Sequence, residues 1–108
     1  MRDQLIADLL ILKQSIVAAN NQVYLAARDL MAAKDELRLE ENRLISGGYI
    51  DGKNAEIRAA QTHQQTVIER QNVAEAEDCL DASKTALSNL NTELRINLAL
   101  VELVKGVA

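Results

Sequence analysis

From Leu5 to Leu44 the chain places a residue of one kind at alternating steps of four and three: Leu5, Leu9, Leu12, Ile16, Ala19, Val23, Ala26, Leu30, Ala33, Leu37, Glu40 and Leu44. Eleven of these twelve are apolar. With Leu9, Ile16, Val23, Leu30, Leu37 and Leu44 at position a of a heptad, the d positions are Leu5, Leu12, Ala19, Ala26, Ala33 and Glu40. That periodicity predicts a helix from about Asp3 to Ile45 with a seam turned toward a neighbour. Three successive alanines at d leave little bulk between backbones, so the middle of this helix is expected to approach its neighbour toward the lower end of the ~8–10 Å range.

A second apolar row runs beside the first, through Leu10, Val17, Tyr24, Met31 and Ile45, supported by Ile6, Ile11, Leu25 and Leu39. A stripe that wide exceeds what one partner helix covers. The opposite face carries Asp8, Lys13, Gln14, Asn21, Gln22, Arg28, Asp29, Asp35 and Glu36 and reads as solvated.

Three of the four glycines fall between Ile45 and Asn54, and the chain has no proline. This stretch predicts a turn over about residues 46–52, with Gly47 as the left-handed residue ending the first helix and Asp51 or Asn54 capping the second. The second helix is expected from about Lys53 to Lys105. Its first third is weakly patterned, and Gln61 to Thr66 are polar on every face; an apolar stripe then resumes through Val73, Ala76, Leu80, Leu87, Leu90, Leu94, Val101 and Val104. The expected fold is therefore all-α, one antiparallel long-helix hairpin spanning residues 1–108 and resembling a coiled coil.

Pairing the helices through that turn places Leu44 opposite Ile57, Leu37 opposite Gln64 and Leu9 near Leu94. Residues from Leu100 onward would then project past the start of the first helix. Covering each bare side chain there is worth ~1.5–3 kcal/mol, so Leu100, Leu103 and Val104, with Leu10, Val17, Tyr24 and Met31, are the candidate oligomer contacts. They predict a dimer, as a four-helix bundle, or a higher assembly.

Composition narrows the function more than it defines it. The chain is 48% hydrophobic but only 2% aromatic, Tyr24 and Tyr49 alone, and its 12 basic and 16 acidic residues leave a net charge of −4. Basic residues such as Arg28, Lys34, Arg38 and Arg43 are interleaved with acidic ones, which disfavours a nucleic-acid face. The one cysteine, Cys79, has no partner for an internal disulfide, and the one histidine, His63, lacks the companion ligands of a metal motif. Gly47 and Gly52 bracket four residues and Lys53 follows, as in a P-loop, but Asn54 stands where a hydroxyl must bind Mg²⁺, and the preceding segment reads as helix instead of strand. The serines lack a base in any recognisable motif, and no catalytic residue, cofactor or metal is expected. The run around Leu9 to Leu12 is broken by Asp8 and Lys13, and the apolar C-terminal stretch falls short of the ~20 residues that span a bilayer. A cytoplasmic, non-enzymatic protein acting through contacts with itself and with another protein is the expectation.

The segment Ile50-Asp51-Gly52-Lys53-Asn54-Ala55-Glu56-Ile57-Arg58-Ala59-Ala60-Gln61 resembles one found in small two-helix proteins of bacteriophages and prophage-like regions. The Gly-Lys-Asn, the Arg four residues after Asn54 and the following Ala-Gln carry the similarity. The resemblance implies an accessory role beside DNA-processing proteins, with Gly52, Lys53, Asn54, Arg58 and Gln61 as a candidate interaction site at the turn end. In that alternative, Lys53 and Arg58 touch nucleic acid in recombination or nuclease regulation. The plainer reading of Gly52 and Asn54 is turn formation and helix capping.

Overall fold

The structure, a computed structural model, describes residues 2–107. Among them the chain is all helical: α1 spans Arg2–Ser46, α2 Ala55–Gln65 and α3 Val67–Val107.

The first helix ends as its glycines predict, one residue later than expected. Gly48, with φ of 75°, occupies the left-handed position assigned above to Gly47. The Gly48 N–H donates to the Ile45 carbonyl at 3.3 Å, and the Tyr49 N–H donates to the Leu44 carbonyl at 3.0 Å. These are the paired bonds of a Schellman ending, which satisfy carbonyls the helix leaves open. Gly47 is needed for space instead, since a Cβ there would lie 2.6 Å from the Tyr49 ring and 3.1 Å from the Arg43 carbonyl.

The second predicted helix is two helices, which corrects the continuous span from Lys53 to Lys105. Asn54 caps α2 from extended backbone, its side chain accepting from the Ile57 N–H at 2.9 Å. After eleven residues the helix is interrupted at Thr66 (φ −118°, ψ 27°), whose N–H reaches the His63 carbonyl at 3.3 Å. Two threonines one turn apart sit at the break. The Thr62 hydroxyl donates to the Arg58 carbonyl at 2.9 Å, and the Thr66 hydroxyl donates to the Thr62 carbonyl at 2.7 Å. Such back-bonding often bends a helix.

Two compact units make up the chain. One joins the residues through Leu25 with those from Leu80 onward; the other runs from Ala26 to Cys79. In both, the predicted seam is the shielded face. All twelve seam positions of α1 are buried or half-buried, with Leu12, Ala26 and Leu44 the most enclosed. The eight stripe residues of α3 are likewise half-buried, and so are Ser83 and Asn97, which fill the two polar steps of the same spacing.

In the first unit Leu5 and Leu9 share one groove with Val101 and Val104, and Asp8, Ile11 and Leu12 share another with Leu90, Glu93 and Asn97, on either side of the expected neighbour Leu94. In the second, Glu41 of α1 reaches Arg70 of α3. Residues 47–54 form the turn between α1 and α2. Val101 and Val104 are half-buried and not bare, whereas Leu100 and Leu103 stay exposed.

Candidate functional site

The turn-end residues singled out by sequence form one hydrogen-bonded knot. Gln61, on α2, is its centre: its Oε1 accepts from the Gly52 N–H at 2.9 Å, and its Nε2 donates to Asp51 Oδ1 at 2.9 Å. Arg58, one turn earlier, donates from Nη1 to the Gly52 carbonyl at 3.1 Å. Gly52 is therefore gripped at both its N–H and its carbonyl, and a Cβ there would lie 2.6 Å from Ile57 Cγ2 and 3.1 Å from both Arg58 N and Gln61 Oε1. The backbone passes so close to α2 that only glycine fits without displacement. Asn54 belongs to the cap. Lys53 is exposed and enters none of these bonds. Of the five predicted site residues, Gly52, Arg58 and Gln61 are thus brought together, holding the loop against α2, while Asn54 caps the helix beside them.

A second polar cluster sits at the helix break, and sequence reasoning passed over it. Thr66 is fully buried. Besides donating to Thr62, its hydroxyl accepts from Arg70 Nε at 3.0 Å, and Arg70 Nη2 lies 3.7 Å from Glu41 Oε1. The buried hydroxyl therefore connects α2, α3 and α1 through one guanidinium. The available signal was the pair Thr62 and Thr66 at a spacing of four, followed by Arg70 at four more.

Near the end of α1, Arg43 bonds Glu40 at 2.6 and 3.0 Å and lies over the Tyr49 ring, 5.5 Å from its centroid. The bond to Glu40 holds the guanidinium still more firmly charged and lowers the Glu40 carboxyl below its ordinary value. Glu40 is the one charged residue of the α1 seam, and this pairing explains how the seam tolerates it. No group of three or more His, Cys, Asp or Glu among the described residues could hold a metal ion, and Cys79 is exposed.

The predicted oligomer contacts are largely apolar and open. Leu10, Val17, Tyr24 and Met31 are 58–67% exposed, and Leu100 and Leu103 are 43% and 66% exposed. At the end of the first unit a groove of about 420 Å³ lies between the start of α1 and the end of α3. Leu5, Ile6, Leu9, Val101 and Val104 line it, with Arg2 and Lys105 at its margin. No helix among the described residues is long and apolar enough to cross a membrane. Comparison with family models, with curated proteins and with solved structures returns no match.

Proposed function

We propose that this chain is a non-enzymatic helical hairpin, coiled-coil-like in its seam, that associates with itself and acts through protein–protein contacts. The observation that carries the reading is the imbalance of its apolar side chains. Sixteen large hydrophobic residues are more than two-fifths exposed, while the enclosed hydrophobic positions among the described residues are Leu12, Ala26 and Leu44. A small soluble domain ordinarily covers its large apolar side chains by folding, and those left in rows mark a surface meant for another protein. The seam, the groove that Leu9 shares with Val101 in the first unit and the Glu41–Arg70 pair in the second support an antiparallel hairpin. A dimeric four-helix bundle is the simplest assembly that would cover the second row of α1. Kinship to two-helix phage proteins belongs to the same reading and rests on residues 50–61.

Association links stability to concentration. If folding is coupled to dimerisation, the thermal midpoint rises with total chain concentration. Melting curves followed by circular dichroism across a hundredfold dilution series, from high micromolar downward, should show that rise. A midpoint that does not move, together with a monomer mass by light scattering throughout, would remove self-association from the proposal.

A further inference from the structure

One row of α1 repeats a spacing of seven: Asp3, Leu10, Val17, Tyr24, Met31 and Arg38. Residues seven apart on a helix share a face, so four apolar side chains stand in line between an acid and a base. All six are exposed. Arg38 pairs with Asp35 of its own helix at 3.4 Å, but both side chains are more than three-fifths exposed. A guanidinium has five N–H donors, so Arg38 keeps donors open to a second carboxylate. The order of the row is also its own complement, because reading it backwards exchanges the acid for the base and leaves the middle apolar.

We propose that a second copy of the chain covers this row, α1 against α1 and antiparallel, about a two-fold axis level with the junction of Asn20 and Asn21. The proposal rests on the self-association reading and specifies its surface, orientation and register. Residues at equal distances from the axis then meet: Asp3 of each copy faces Arg38 of the other, Leu10 faces Met31, and Val17 faces Tyr24. Arg38 bridges Asp35 of its own helix and the incoming Asp3. The contact is isologous, so it closes on itself as a dimer. Asn20 and Asn21 lie on opposite flanks of the row, each three or four residues from Val17 and Tyr24, and each comes nearest its own copy across the axis. An amide carries both donors and an acceptor, so it can bond to itself there. On those flanks Lys13 comes nearest Ala27, and Arg28 nearest Gln14, so neither cation meets another. Other pairings of the row do not match. Parallel helices set Asp3 on Asp3 and Arg38 on Arg38. An antiparallel slip of one heptad sets Leu10 on Arg38 in one direction and Met31 on Asp3 in the other, leaving a charge against an apolar side chain.

The test is a charge exchange at the two ends of the row, read by light scattering and analytical ultracentrifugation. Asp3→Lys alone, or Arg38→Glu alone, sets like charges together at both ends of the dimer and should weaken self-association about tenfold. Both changes in one chain restore opposite charges across the antiparallel contact and should return the affinity to near wild type. A single variant that had merely lost its fold could not be repaired in this way, and a parallel pairing would gain nothing from the second change. In 1 M salt, where the screening length falls to ~3 Å, the variants should converge on wild type. Val17→Glu should abolish the dimer. Ile45→Glu should leave it intact, because Ile45 continues the row one heptad beyond Arg38 and lies outside the paired span. If wild type self-associates but neither single change weakens it, or the double variant stays as weak as the singles, the pairing falls while self-association stands. Loss of the dimer in Ile45→Glu would mean another register and overturn the proposal, as would a dimer abolished by Leu103→Glu and untouched by Val17→Glu. A wild type that is monomeric throughout removes both readings.

Discussion

At the scale of single residues, the turn end is governed by space and by hydrogen-bond satisfaction. Gly52 is the clearest case: its backbone φ is unremarkable for any residue, yet a methyl group would press on the Ile57 side chain, the Arg58 N–H nitrogen and the Gln61 amide together. Ile57 can yield; a backbone nitrogen cannot. Gly52→Ala is expected to cost ~1–3 kcal/mol, as overpacking does. The check is a chemical denaturation midpoint, with Lys53→Ala next door as a control that should change it by less than about 0.5 kcal/mol. Glu40 gives the residue-scale prediction for pH. Its folded pKa lies below the ordinary 4.5 because it accepts two bonds from Arg43. A carboxyl lowered on folding stabilises fully above its ordinary value and loses that contribution as pH falls through the folded value. The stability difference between wild type and Glu40→Gln should therefore be constant above about pH 5 and decline toward zero on acidification below it. A difference that grows as pH falls would contradict the assignment.

At the scale of elements, the contrast between α1 and α2 is instructive. Every one of the twelve α1 seam positions turned out to be shielded, and the reason is that a four-three spacing sustained over forty residues admits one buried face. The return of the chain was less legible. Its glycines mark where α1 stops, but they do not say that the loop after them is held against α2. That depends on Gln61, whose amide reaches back to Asp51 and Gly52, contacts nine and ten residues apart that no local pattern announces. The break at Thr66 was hidden for a related reason. Threonine in a polar block reads as surface, and only its neighbours Thr62 and Arg70 reveal a hydroxyl with both a donor and an acceptor role to fill in a buried place. Gly52, Asn54, Arg58 and Gln61 stand out together in the sequence because they share a short segment. Their bonds to one another became visible only in three dimensions. A helix of eleven residues is too short to persist alone in water, so α2 depends on that knot. Replacing Gln61 with Leu strips the Gly52 N–H of its acceptor, and hydrogen exchange of the α2 amides should accelerate by about tenfold or more while the middle of α3 keeps its protection. Equal acceleration in both helices would mean that α2 is not a separately opening element.

At the scale of the whole molecule, sixteen large hydrophobic residues stay more than two-fifths exposed among the described residues, and this sets the expectation that the chain is completed by association. The dilution and charge-exchange experiments divide that expectation into whether the chain pairs and where. The bond between Glu41 and Arg70 adds a further consequence. It ties α1 to α3 beside the break, and the seams beyond it carry only repeating apolar steps interrupted by Ser83 and Asn97. Within the second unit, α1 and α3 are held in step at this pair, and the buried threonine with its arginine is the mark from which the apolar repeats of that unit are counted.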